Sequence, residues 1–495
     1  MTAPAPGDAT QTGSAETPRT GTPPVIRWLV LATFIVILNE TLMINAIPRL
    51  KADLGVTAST AQWLTTAFML TMAAVIPVTG WFLQRVTTRA AFATAMAIFC
   101  TGTLLAIVAP VFEVLLVARI IQAGGTAVMM PLLMTTLMTV VPENDRGRVM
   151  GNVTLAMSCA PALGPAVSGV LLGIGSWRLM FIVVLPIAAA IMYFAMRKLE
   201  SVGETTTGDI DWFSVGVAAA GFGGLVYGLS RFGTGAVALP VAIVAGGIAL
   251  VSIFVLRQLY LQINGTPLLD LRTLKHRTFT LALGLMSVAF MAMLGSMIML
   301  PLYLQDLRGL TALETGLLVM PGGLAMGLLG PTVGRTFDRL GGRPLVIPGS
   351  IGIVAALAVF TQVGADTPYA VLLAAHMVLM ICLAGVFTPV FTLGLGAVPM
   401  HLYSHGSSIL GTLQQVAAAF GTALVVTVMT ARANSLADGG SGEAESLLGG
   451  MQWAFAVGAA LSLLIVVFAL VLPGRLPAAA VEPGAEPELN PSNAS

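Results

Sequence analysis

The sequence predicts an all-α polytopic membrane protein with fourteen transmembrane helices, arranged as two six-helix bundles and two further helices between them. Three observations predict this. Of the 495 residues, 57% are hydrophobic and 9% charged, against about 25% charged in soluble domains. Apolar runs long enough to cross ~30 Å of hydrocarbon recur along the whole length. One loop pattern also occurs twice, at equivalent places in the first and last six spans. The net charge of +1 gives no electrostatic footprint for nucleic acid.

The elements follow in order. Residues 1–24 are rich in Pro, Thr, Gly and Ala and lack a basic segment before an apolar core. They read as a disordered cytoplasmic tail, not a cleaved signal peptide. Residues 25–200 hold the first bundle, with spans at roughly 26–48, 61–83, 90–110, 113–141, 149–174 and 178–196. Residues 201–262 form a linker carrying two extra spans, near 212–230 and 236–256. Asp209 and Asp211 precede the first of these, where a helix N-terminus favours negative charge. Residues 263–475 hold the second bundle, with spans near 279–304, 315–336, 344–363, 368–393, 406–430 and 449–472. Residues 476–495 read as a second disordered cytoplasmic tail. Cys100, Cys159 and Cys382 all fall inside apolar spans. Dispersed in this way they suggest small buried hydrophobes, not disulfides or a metal site.

Charge orients the chain. If both ends are cytoplasmic, sixteen Lys and Arg lie inside, six lie outside, and Arg119 is within a span. The positive-inside rule then places both termini in the cytoplasm. An error of one span would scramble that asymmetry, so it also supports an even count.

The repeated loops are "GWFLQRVTTR" (Gly80 to Arg89) after the second span and "GRTFDRLGGR" (Gly334 to Arg343) after the tenth. Gly80, Arg85 and Arg89 match Gly334, Arg339 and Arg343 in position, with Gln84 where the second loop has Asp338. Internal symmetry of this kind marks secondary transporters, which bind substrate between the halves. No Walker-type phosphate loop occurs, and none of the three lysines follows a glycine, so the chain has no sign of an ATP motor. No cofactor is expected. An ion gradient would have to do the work.

Glu40 fits that need. It lies in "FIVILNETLMINAIP" (Phe34 to Pro48), and intramembrane ionisable residues are costly and usually functional. At ~1.5 Å per residue it sits about 21 Å from the inner end of its span, and Arg119 of the fourth span sits about 20 Å from the same side. A proton-coupling pair and a static structural pair both fit this depth. Gln122, one turn after Arg119, shares its helix face. It belongs either to a polar stripe on a substrate cavity or to interhelical hydrogen bonding. Asn39, Gln414 and Gln415 are further cavity candidates. His376 in the twelfth span reads as a helix contact, and His405 as an exposed residue at a cytoplasmic edge.

These residues carry a resemblance to the major facilitator superfamily, in its fourteen-span drug:proton antiporter branch, over about residues 25–475. "RIIQAGGTA" (Arg119 to Ala127) resembles the branch's span-4 motif, with Ala123 for its first glycine. "APALGPAVSG" (Ala160 to Gly169) resembles the antiporter motif of span 5, which puts Pro161, Gly164, Pro165 and Gly169 in that role. "WRLMFIVVLPI" and "HGSSILGTLQQVAAAFGTAL" resemble the branch's spans 6 and 13. Asn39-Glu40-Thr41 and Gln84-Arg85 look closest to lincomycin-resistance-type exporters. The branch usually has its span-1 acid where Asn39 stands, so Glu40 is turned ~100° around the helix. The resemblance implies a cytoplasmic gating latch at Asp338.

It further implies a bacterial plasma-membrane monomer exporting hydrophobic or amphipathic drugs in exchange for protons, by alternating access. Its partners would be a drug-like small molecule, protons and the bilayer. Export of one endogenous lipid or metabolite is the alternative within transport. A membrane enzyme or a non-transporting sensor is the alternative of another class.

Overall fold

The computed structural model describes residues 22–43, 46–199, 201, 205–232 and 238–475. Most of both expected tails, and part of the 201–262 linker, lie outside these. Among the described residues the regular structure is helical throughout, and fourteen helices are long and apolar enough to cross a membrane. The first half contains α1 (Pro24–Leu42), short α2 (Ile47–Leu54), α3 (Ala58–Arg85), α4 (Thr88–Val108), α5 (Phe112–Val140), α6 (Arg146–Ile174) and α7 (Arg178–Lys198). Helices α8 (Trp212–Ser230) and α9 (Ala238–Asn264) are inserted. The second half contains α10 (Arg277–Leu302), α11 (Ala312–Leu340), α12 (Arg343–Phe360), α13 (Tyr369–Gly396), α14 (Tyr403–Asp438) and α15 (Glu443–Val471).

Local chemistry starts several helices. Thr57 and Thr87 accept hydrogen bonds from the backbone N–H groups of Thr60 and Ala90. Thr311 and Glu314 form a reciprocal capping box at α11. Such caps satisfy donors that a helix leaves free. The expected span 26–48 is corrected: α1 ends at Leu42 and α2 is separate. Pro48 fits the break, because proline is tolerated in the first turn of a helix, where α2 has it, and not in a helix interior. Glu40 therefore lies in the last turn of α1.

The halves meet along two seams, α6 against α11 and α3 against α14. The first is a backbone contact. An added Cβ at Gly147, Gly151, Gly330 or Gly334 would overlap the facing helix. We expect Gly330→Val to destabilise the protein by about 1–3 kcal/mol, read as a lowered melting temperature. Gly169→Ala should not lower it, since a Cβ there meets nothing within 4 Å.

Helix α8 packs on both α3 and α14, so the inserted pair braces the second seam. Asp211 at its start binds Arg257 of α9 at 2.9 Å. Gln258 donates to Ser214 and accepts from the Leu268 and Leu269 N–H groups, which ties α9 to the approach to α10. The hydrogen bond from Arg257 holds the Asp211 carboxyl below the usual carboxylate range. Its contribution to stability is complete above the unfolded value, near pH 3.9, and is lost as pH falls through the lower folded value. The melting-temperature difference between wild type and Asp211→Asn should accordingly be constant at neutral pH and vanish in acid.

Candidate functional site

Arg119 is fully buried inside the first half. Its Nη1 donates to Gln122 Oε1 at 2.9 Å, Gln122 Nε2 donates to Thr103 Oγ1 at 2.8 Å, and Thr103 bonds the Phe99 carbonyl. The guanidinium also lies 4.2 Å from the Phe68 ring centroid. Glu40 is the carboxylate whose charge acts on Arg119. No ion pair within 4 Å joins the two. Glu40 is only half-buried. Beside it Asn39 is 1% exposed, and neither polar atom of its side chain has a partner.

The segment expected as the antiporter motif holds the end of α1. Ser168 donates to the Leu42 carbonyl at 3.0 Å, and Thr41, whose hydroxyl donates to the Leu38 carbonyl, lies 3.5 Å from the Ala160 carbonyl. A Cβ on Gly164 would overlap Thr41. Gly164 therefore lets α1 lie against α6, and Pro161 and Pro165 face the adjoining chamber.

That chamber, of about 400 Å³, lies between the halves and is walled by α1, α6, α10, α11 and α13. It extends toward Gln305 and Thr315, away from the Gly334–Arg343 turn. Met157, Met293, Met297, Met320, Met326 and Met380 line it. So do Phe290 and Phe387, stacked with centroids 4.7 Å apart. Long, adaptable methionines suit a wall that repacks around different molecules.

Asn39, Gln122, Gln414 and Gln415 are not among the chamber's lining residues. For Gln122 the hydrogen bonds inside the first half account for this. Gln414 and Gln415 are half-buried on α14, and Gln414 Nε2 is unpaired. His405 is 3% exposed, which corrects the expected surface position: α14 begins at Tyr403 and packs His405 against Gly80 of α3. His376 lines the chamber with Nδ1 unpaired.

At the arginine-bearing end the halves are shut. Asp338 of α11 accepts from the Gly147 and Arg148 N–H groups at 2.8 and 2.7 Å, capping α6 across the seam. Arg339 gives its carbonyl to Arg475, and Arg343 donates to the Leu472 carbonyl, so these loop residues fasten the chain after α15. In the first loop, Gln84 Nε2 donates to the His401 carbonyl at 2.9 Å, and Arg85 donates to the Gly208 carbonyl at 3.1 Å. Arg89 lies in the first turn of α4, exposed.

Three hydroxyl pairs, each at 2.8–2.9 Å, bridge the halves deeper in: Thr79–Ser408, Thr135–Ser407 and Thr154–Thr388. Sequence reasoning missed these pairs. A single hydroxyl in an apolar run has no spacing signal.

Two linked six-helix halves around a chamber closed at one end are the architecture of a membrane transporter. The chain matches the model of the Major Facilitator Superfamily over residues 29–422, and it belongs to that superfamily. It is 39% identical to the MFS-type transporter YcnB of Bacillus subtilis, covering 91% of this chain and 95% of that protein. It is also 39% identical to the lincomycin resistance protein LmrB of Listeria monocytogenes, covering 88% and 93%. The fold is shared with the human organic anion transporter MFSD10, at a TM-score of 0.65 and 15% identity over 90% of this chain and all of that one.

Proposed function

We propose that the protein is a proton-coupled exporter of hydrophobic or amphipathic drug-like molecules, with both termini in the cytoplasm. The observation that carries this reading is Glu40, a half-buried acid at the end of α1, within the electrostatic reach of Arg119 but not locked to it. An acid held in this way can take up a proton when the chamber faces one side and release it when it faces the other. The antiporter segment of α6 touches both the Glu40 end of α1 and the chamber, so protonation and occupancy share one wall. The resistance proteins among the relatives support a drug as cargo. The excess of Lys and Arg at the closed end supports a cytoplasmic location for it. The chamber then opens outward in this conformation.

One charge crossing the membrane potential supplies ~2.3 kcal/mol per 100 mV, enough for roughly a 50-fold concentration ratio per proton. Purified protein reconstituted in liposomes should release protons when a drug panel is added. Substrate movement with no dependence on a pH gradient would overturn the coupling.

A further inference from the structure

Three polar atoms on chamber residues have no protein partner: Ser158 Oγ, Thr315 Oγ1 and His376 Nδ1. The three residues, on α6, α11 and α13, are 8%, 3% and 1% exposed. Buried polar groups are normally paired, and leaving one unpaired is destabilising. The neighbouring hydroxyls are engaged, Thr154 with Thr388 and Thr41 with the Leu38 carbonyl. A neutral imidazole has one donor and one acceptor nitrogen, so the unpaired Nδ1 leaves one of these capacities unused. Each of the three atoms is sealed from solvent, so a ligand would reach it only after rotation about χ1 for the hydroxyls, or turning of the ring, had exposed it.

Their levels differ. A Cβ on Gly322 would overlap the His376 ring, and one on Gly323 would touch Ala162 beside Ser158. His376 lies beside Gly322, while Ser158 precedes Cys159, which a Cβ on Gly327 would overlap, and so sits about 7 Å deeper along α11. Thr315 lies about 10 Å nearer the mouth than His376, at 1.5 Å per residue along α11. Among the described residues, no Asp, Glu, Lys or Arg lines the chamber. A cation entering it would lose water with no carboxylate to offset the loss. The faces of Phe290 and Phe387 attract cations more weakly than that loss costs.

We infer that the chamber selects uncharged, elongated amphipaths bearing hydrogen-bonding groups spaced along about 10–18 Å of its length, with Ser158, Thr315 and His376 as the specificity-determining residues. The inference rests on the export reading and names the class of its substrate.

The test uses the full chain in lipid nanodiscs. The probes are fluorescent aryl-alkyl compounds in matched pairs, one member ending in a hydroxyl or amide and the other, on the same skeleton, in trimethylammonium. The uncharged members should bind about tenfold tighter or better. Ser158→Ala and Thr315→Val, which keep shape and remove the hydroxyl, should each weaken them about fivefold and leave the cations unchanged. Equal or tighter binding of the cations, variants without effect, or no binding by any probe would each overturn the inference. Proton-driven uptake of the same probes keeps the two readings apart. Selective binding without uptake overturns export and leaves the chamber's selectivity standing. Wild-type uptake of the trimethylammonium compounds overturns the selectivity and leaves export standing.

Discussion

Glu40→Gln protein is expected to fold, reach the membrane and bind its substrate, yet fail to concentrate it. Gln keeps the shape of Glu and most of its hydrogen bonding but cannot change charge. Removing one partner of a tight buried ion pair costs about 3–5 kcal/mol. Here the cost should be well below that, because Arg119 already bonds Gln122 and lies over Phe68, with no ion pair to Glu40. The melting temperature should stay near that of wild type. In inverted vesicles under an imposed pH difference, accumulation should collapse toward equilibration, a loss approaching the roughly 50-fold that one proton sustains. Exchange of labelled substrate between the two sides should persist. Wild-type accumulation with wild-type pH dependence would remove Glu40 from the coupling role. A collapse of expression and melting temperature would make it a structural partner of Arg119.

Asp338→Ala should bias the transporter away from the conformation closed at the arginine-bearing end. It removes two charge-assisted hydrogen bonds to backbone donors and a negative charge at the start of α6. Together these are worth roughly 2–4 kcal/mol, a shift of about thirtyfold or more in the balance between conformations. Gln84→Ala removes one neutral hydrogen bond between the halves, worth about 0.5–1.5 kcal/mol, and should shift it several-fold at most. Spin labels at Glu143 and Met400, both exposed at that end and on opposite halves, would report the separation in a cysteine-free background. Asp338→Ala should add a long-distance population absent from wild type, and transport should fall with it. Equal effects of the two substitutions would count against Asp338 as the dominant fastening.

The spans were legible because hydrocarbon thickness sets a length that apolar runs must meet. The break after Leu42 was harder to see, since Pro48 sits beyond the point where the helix stops. Arg119 and Gln122 were legible as one helix face. The direction of that face was not, because spacing along one helix does not say which neighbour it meets, and Thr103 on α4 gives no signal of its own. Asp338 stood out by resemblance as a candidate latch. Its partners did not, because they are backbone N–H groups that every residue carries. His405 looked like an edge residue until α14 proved to start at Tyr403 and to cover it with α3.

The Asp338 fastening also bears on how the protein can change over evolutionary time. Its acceptor is one side chain, and its donors belong to the peptide backbone at Gly147 and Arg148. Substituting Arg148 leaves its donor in place, and only proline would delete it. Gly147 is restrained separately by its tight approach to Gly334. Most drift along the start of α6 therefore cannot unpick the lock, and it has a single point of failure. Lineages could vary the charge on that surface, and with it their fit to a particular lipid headgroup, without altering how firmly the two halves close.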